Sequence, residues 1–410
     1  MGAKTTYDEA AAGRVRAVAQ AWGVLLGLRR VVSANAHAEV FRCVAGEGEF
    51  APSGQSGDVC LKLLHSRRGH LAYLEQVLGA MWDGAADAGG AEAAGAAAAI
   101  GAGLPMPRVL RAGRVALPTG EEAFALLTPW VKGVSLAEAI RHEARRHQAS
   151  PDSLGPLLRD GLAIVAELAC VLRDLGNAPG GAVVHGDLKP SNAVVRRLDD
   201  AAAAVAAGFA DAAAEAAAGA EAAARPFRLT VIDYDTVCRA GDAQAPVRCG
   251  SFGHAAPERV AWLAAGAGSG ADAARFAPQP ASDVYSFGVM AHEVLTGHWP
   301  YACPPHPGAS LQEWARFYRS LGDVPALDAA LPADVRQLVA ACLSLDPSCR
   351  PAPDELARRA CTLALVHRND DARCLLVDAA ALASIPTASP LWEDAPSPCA
   401  TASCGADALA

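Results

Sequence analysis

Val183-Val-His-Gly-Asp-Leu-Lys-Pro-Ser-Asn-Ala-Val-Val195 sets two short β-branched runs on either side of a polar loop. Such a pattern predicts strand, loop, strand. The loop carries an acid (Asp187), a base (Lys189) and a carboxamide (Asn192) within six positions. Pro190 stiffens the backbone between them and fixes their relative aim. A carboxylate able to take a proton, a cation beside it and a neutral oxygen ligand suit phosphoryl transfer from a magnesium-bound nucleotide. A merely polar surface turn would look similar in isolation. The order of the other motifs along the chain separates the two readings.

Composition narrows the classes. The 410 residues allow one large or two medium domains, and 52% hydrophobic content is ample for a buried core. Much of that share is alanine, which raises hydropathy without adding large core side chains. A net charge of -9 argues against nucleic-acid binding by general charge neutralisation. The 12 cysteines are scattered singly, as at Cys43, Cys60, Cys170 and Cys238, with no C-x-x-C pair. Reduced thiols and a cytoplasmic location are therefore expected rather than a disulfide framework or a zinc site. Trp22 to Leu28 is too short to span a bilayer and runs into Arg29-Arg30, so no transmembrane segment is expected there. No secretory signal is visible. Met1-Gly-Ala-Lys-Thr-Thr6 fits the loose N-myristoylation pattern, while Asp8-Glu9 would oppose anionic lipid.

Working outward from the loop, residues 1–23 read as a mobile, partly helical extension. Val31 to Val44 reads as two strands around a small-residue turn, and Val59-Cys-Leu-Lys-Leu-Leu64 as a third strand with one charge, Lys62, in an apolar run. Such a lysine either snorkels from an edge strand or is aimed into a cleft. His70 to Trp82 is helical, with Leu71, Leu74, Val77 and Leu78 as a core stripe and Glu75 as its one acid. Strands resume at Arg108–Arg111 and Ala123–Thr128, and Ser135-Leu-Ala-Glu138 is a capping-box signal. The helices expected beyond it are Leu157–Gly176, Val284–Leu295, Leu311–Leu321, Ala333–Leu343 and Pro353–Val366. Between them, Arg228-Leu-Thr-Val-Ile-Asp-Tyr-Asp235 is a strand ending in acids. Ala/Gly-rich inserts are expected near 83–103, 199–226 and 262–280, and a flexible tail over 367–410. A β-rich part followed by a helical part makes this an α+β chain.

With Lys62, His185-Gly-Asp-Leu-Lys-Pro-Ser-Asn192, Asp233-Tyr-Asp235, Ala256-Pro-Glu258, Asp283-Val-Tyr-Ser-Phe-Gly288 and Leu345-Asp-Pro-Ser-Cys-Arg-Pro351 in this order, the chain resembles a eukaryotic-type protein kinase domain. The resemblance covers about residues 24–366. It implies a bilobal fold, with a small β-rich N-lobe over 24–131 and a larger helical C-lobe over 132–366. It implies ATP and Mg2+ as cofactors and a protein as the second substrate. Lys62 would hold the α- and β-phosphates and pair with Glu75. Asp187 would accept or orient the substrate hydroxyl's proton, Lys189 would neutralise the transferring phosphoryl group, and Asn192 and Asp233 would ligate magnesium. Glu258 and Arg350 match a buried ion pair of the family, and Asp283 the anchor of the catalytic loop's backbone. Thr128 falls at the position controlling access behind adenine. Pro129 to Val131 would be the hinge, where Pro129 supplies a carbonyl and Val131 an N–H.

The pattern also departs from the family. Aligning Val40-Phe41 with the end of the glycine-rich loop puts Ser33, Asn35 and Ala38 where three glycines are expected. Asn tolerates a positive φ and Ala does so less well, so weaker nucleotide binding is expected. Asp235 replaces the glycine of Asp-Phe-Gly, Gly79 replaces a large apolar residue, and Gly186 replaces the arginine before the catalytic aspartate. That arginine ordinarily answers an activation-segment phosphate. Lys189 and Gly250-Ser251 resemble the serine/threonine class. Three readings stay open here: an active serine/threonine kinase, a pseudokinase serving as a binding module, and a small-molecule kinase of the aminoglycoside/choline type.

Overall fold

The computed structural model describes residues 2–34, 38–46, 57–65, 105–107, 109–149, 154–197, 227–233, 235–243, 245, 251–265, 276–306, 308–322 and 324–367. The expected helix over 70–82 with Glu75 and Gly79, the turn residue Asn35, the inserts at 83–103 and 199–226 and the tail beyond 367 lie outside these residues. The chain divides into two compact units, Met1–Lys132 and Gly133–Ala410.

In the first unit, strands β1 (Leu26–Ala34), β2 (Ala38–Ala45), β3 (Gly57–Leu64), β4 (Arg111–Ala116) and β5 (Glu122–Pro129) form an antiparallel sheet in the order β1-β2-β3-β5-β4. Alternation decides its faces. Phe41, Cys43, Val59, Leu61, Leu63, Ala125 and Leu127 are buried on one side. Against that side lies helix α1 (Gly2–Trp22), whose Ala11, Val15 and Val18 join the same apolar cluster.

This corrects the expectation of a mobile extension over residues 1–23. Ala11, Val15, Val18 and Trp22 recur at helical spacing, and Ala11, Val15 and Val18 are at most 1% exposed. Burial of each valine stabilises the unit by roughly 1.5–3 kcal/mol. Alanines on every face of the helix blunt the contrast that would have announced the stripe. Arg111 fastens the helix end, donating to the Trp22 carbonyl at 2.8 Å with its guanidinium 5.6 Å from the indole ring. Arg14 pairs with Glu39 of β2 at 2.7 Å.

The second unit begins with β6 (Val134–Ser135) and helices α2 (Leu136–Ala149) and α3 (Leu154–Gly176). The capping box is present: the Ser135 hydroxyl accepts from the Glu138 amide at 3.2 Å, and the Ser135 amide donates to the Glu138 carboxylate at 3.1 Å. Next come β7 (Val183–Val184), β8 (Ala193–Arg197), β9 (Phe227–Val231) and β10 (Cys238–Arg239). They form a three-stranded sheet, β6-β8-β9, and a two-stranded one, β10-β7. Helices α4 (Pro257–Ala264), α5 (Pro280–Thr296), α6 (Leu311–Ser320), α7 (Ala333–Cys342) and α8 (Pro353–Val366) complete the unit.

α5 is the central helix, buried from Ser282 to Glu293 and stopped by Gly297 at φ 80°. α3 packs against α5, α8 and β9. The insert expected over 262–280 is narrower than its sequence suggests, because α4 continues to Ala264 and α5 starts at Pro280. Strand β4 likewise begins at Arg111 rather than at residue 108.

Arg350 braces this unit. Its Nη1 and Nη2 donate to Glu258 Oε1 and Oε2, each at 2.8 Å, and Ser282 Oγ donates to the same carboxylate at 2.9 Å. The guanidinium also donates to the carbonyls of Ser344 and Ala281, each at 2.9 Å, and lies 5.0 Å from the centre of the Tyr285 ring. The ion pair expected between Glu258 and Arg350 is formed.

Candidate active site

Strand register fixes which side chains of the first unit can act together. Val40 pairs with Lys62, Ser33 with Val40, Ala38 with Leu64, Lys62 with Leu126, and Cys60 with Thr128. Cross-strand partners and alternate residues share a face. Ser33, Ala38, Val40, Lys62 and Thr128 therefore line one face of the sheet, opposite the face that α1 covers. Ser33 and Ala38 sit in strands, and neither has a positive φ. The strain expected of alanine at position 38 is absent, so the backbone there does not require glycine.

β5 ends at Pro129, and the Trp130 amide donates to the Asp58 carbonyl at 2.9 Å. Arg42 lies over the Trp130 ring at 5.0 Å and hydrogen-bonds the Asp58 carboxylate, which Arg29 also meets at 3.0 Å. The Arg42 hydrogen bond, with the charges of Arg42, Arg29 and Lys132, holds the Asp58 carboxyl below its usual range. Val131 follows directly, so the segment meant to supply an N–H hangs from a fixed tryptophan.

In the second unit the polar loop falls between β7 and β8, as its sequence predicts. His185 and Gly186 donate their backbone amides to Asp283 Oδ2 at 2.6 Å and Oδ1 at 2.9 Å. The anchoring expected of Asp283 is thus met from α5. Thr236 Oγ1 donates to the His185 carbonyl at 2.8 Å. The His185 ring donates from Nε2 to the Ile232 carbonyl at 3.1 Å and accepts the Asp187 amide at Nδ1 at 3.3 Å. Backbone and ring therefore aim Asp187 from several sides.

Its carboxylate is held in turn. Lys189 Nζ donates to Asp187 Oδ2 at 2.8 Å and to Ser251 Oγ at 2.8 Å. Asn192, at the end of a single 3-10 turn that Pro190 opens, gives its Nδ2 to the Asp187 carbonyl at 2.9 Å and to Oδ2 at 3.2 Å. With its nitrogen so committed, Asn192 keeps Oδ1 as the acceptor of its carboxamide. The Ile232 amide donates to the Asn192 carbonyl at 2.8 Å, which brings the end of β9 and Asp233 beside the loop.

Asp233 is the sole non-glycine residue with a positive φ, 81°, among the described residues. Such a backbone costs on the order of 1–3 kcal/mol and persists where the surroundings impose it. Here the Asp235 amide donates to Asp233 Oδ1 at 3.2 Å, closing a turn around the strained residue. Asp235 has no positive φ itself, so this turn does not need the glycine expected there.

Sequence reasoning missed Thr236, whose only signal was a hydroxyl shortly after the acids. It also missed the contact of Ser251 with Lys189, which bridges 62 positions.

A family model described as the protein kinase domain matches residues 126–360, more than half of the 410-residue chain. The chain belongs to the protein kinase domain family. No curated protein matches it in sequence. The matched part of the kinase domain opens in β5 just before Thr128 and contains Asp187, Lys189, Asn192, Asp233, Asp283 and the Glu258–Arg350 pair. Lys62 and the strands β1–β4 precede it.

A kinase domain implies ATP and usually magnesium, and the donor set fits that ion. The candidate ligands are a carboxylate (Asp233) and a carboxamide oxygen (Asn192), the hard oxygen donors that magnesium selects. No cysteine or histidine sulfur or nitrogen is among them.

Proposed function

We propose that this kinase domain transfers the γ-phosphoryl group of Mg-ATP to serine or threonine hydroxyls of protein substrates. The observation that carries the reading is Lys189, held by both Asp187 and Ser251 at 2.8 Å. In that position one cation balances the catalytic carboxylate and is tied to the segment leading into Ala256-Pro-Glu258. A hydroxyl at Ser251, with a lysine two positions after the catalytic aspartate, resembles the serine/threonine class rather than the tyrosine class.

Each residue then has a chemical task. Asp187 accepts or orients the proton of the attacking hydroxyl as its oxygen bonds to the γ-phosphorus. The bond from phosphorus to the β,γ-bridging oxygen breaks, and ADP leaves with that oxygen's electrons. Lys189 offsets charge on the transferring group. Asn192 Oδ1 and Asp233 would hold magnesium, which supplies electrostatic stabilisation of the phosphate oxygens. Lys62 holds the α- and β-phosphates. Val40 covers one side of the nucleotide, Thr128 leaves space behind adenine, and Pro129 and Val131 offer a carbonyl and an N–H.

Phosphotransfer from ATP to a panel of serine, threonine and tyrosine peptides tests the reading, with Mg-ATP binding followed in parallel by thermal shift. Magnesium-dependent labelling of serine or threonine is expected. Nucleotide binding without transfer would favour a pseudokinase. Labelling of a small alcohol or amino sugar but of no peptide would favour a small-molecule kinase.

A further inference from the structure

Gly186 has φ 78°, a left-handed backbone that glycine adopts at little cost. A Cβ on it would lie 2.6 Å from Arg259 Nη1, 3.1 Å from Arg259 Nη2 and 3.0 Å from the Thr236 carbonyl. The space beside Gly186 is thus filled from another element. Arg259 stands on α4, directly after Glu258, and is 4% exposed. A buried guanidinium is costly unless opposite charge or acceptors answer it. Arg259 is close enough to Asp283 to favour its ionised form, and Asp283 is the carboxylate that holds the His185 and Gly186 amides.

A second observation comes from the chain between the strained Asp233 and Ser251. Residues 237–250 contain no serine, threonine or tyrosine. The hydroxyls flanking them are engaged inside the fold, Thr236 donating to His185 and Ser251 accepting from Lys189. This part of the segment has no residue to accept a phosphate, and the loop has no arginine at position 186 to answer one.

We propose that Arg259 is a positioning residue for Asp187, its guanidinium seated against Gly186 as a fixed brace that takes the place of a phosphate-dependent one. The inference rests on the catalytic reading above and adds to it a kinase that is competent without phosphate on residues 237–250. Arginine suits the task because its planar fork offers several donors and keeps its charge when buried.

Two substitutions in the full chain test the brace. Arg259→Met retains much of the volume without the charge, and Arg259→Lys retains the charge. In Arg259→Met, kcat on a peptide is expected to fall about tenfold while KM for Mg-ATP changes less than about twofold. Arg259→Lys is expected to recover at least about a third of wild-type kcat. Amide exchange at His185 and Gly186 should quicken about tenfold in Arg259→Met and less in Arg259→Lys.

Exchange needs no turnover. It decides the brace even for a wild type that transfers no phosphate, a result that would overturn only the catalytic reading. Unchanged exchange in Arg259→Met overturns the brace. So do equal losses of kcat in the two variants, which would mark a general packing role. If Arg259→Met does not fold, a double-mutant cycle of Gly186→Ala with Arg259→Lys replaces it. Coupling of about threefold or more in exchange supports the contact, and additivity overturns it. Phosphatase treatment should leave wild-type kcat unchanged, and a fall would overturn the claim of phosphate independence.

Discussion

Asp283 is buried, and both its oxygens accept backbone amides of the loop that carries Asp187. Burial pushes its carboxyl above the usual carboxylate range, while the His185 ring, the two amides and Arg259 pull it back. An acid with a raised folded pKa contributes stability that is fully present below its unfolded value and is lost as pH rises through the folded value. Burial of Asp283 therefore works against stability as pH rises, while its two oxygens aim the loop. Asp283→Asn should separate the two effects. A carboxamide offers one acceptor oxygen where two amides need one each, so kcat should drop about tenfold. Stability should fall by about 1–3 kcal/mol, because one buried amide loses its acceptor and meets the carboxamide NH2 instead. Removing a carboxyl that burial disfavours partly offsets that cost. Urea denaturation beside steady-state kinetics checks both halves, and a loss of stability beyond that range would contradict the account. On the proposed reading Asp187→Ala acts differently, because it removes the group assigned to take the hydroxyl's proton. Its kcat should fall at least about 100-fold, with Mg-ATP binding retained in a thermal-shift titration.

Among the elements, α1 is where sequence and structure part most clearly. Its apolar side chains are few and small, yet three of them close one face of the sheet beside Phe41, Leu61, Leu63 and Leu127. Removing residues 1–22 should expose that face, reducing soluble yield and lowering the melting temperature of the first unit. Val15→Asp should do the same by placing a carboxylate in an apolar contact, at a cost of several kcal/mol. Differential scanning fluorimetry would read both, and an unchanged melting curve would show that the helix adds nothing. Elements that carry their own period were legible beforehand. β3 alternates, α3 and α8 keep a helical stripe, and Ser135 with Glu138 gave away a cap down to its hydrogen bonds. α4 escaped notice because its 8 residues are too few to show a period. β10 is 2 residues long and exists only by pairing with β7, the strand that the β-branched run at Val183 had announced.

For the whole molecule, the same division between local and distant signals explains what the chain disclosed. Motifs compact in sequence announced the family and named Asp187, Lys189, Asn192 and Asp233. The contacts that aim them join residues far apart, as Asp283 reaches His185 across 98 positions and Glu258 meets Arg350 across 92. Only residues whose partners the family supplies were legible at such range, and Arg259 had no such guide. Arg350 shows what one long-range group is worth. Its side chain is 0% exposed, and it joins α4, the start of α5 and the turn at Ser344. Arg350→Ala would leave Glu258 without its charged partner, with only Ser282 still donating to it. It would also strip two carbonyls of that donor, in all a loss of about 3–5 kcal/mol. Set against a typical stability of roughly 5–15 kcal/mol, that is a large fraction of the whole. The expected phenotype is therefore scarcity rather than slowness. Protein per cell and the denaturation midpoint should both fall, while kcat per folded molecule stays within about twofold of wild type. Glu258→Gln should be milder, because its carboxamide oxygen still accepts one of the two bonds. If active-site titration showed a full complement of folded Arg350→Ala enzyme with a kcat lowered tenfold, Arg350 would belong to the catalytic apparatus and not to its frame.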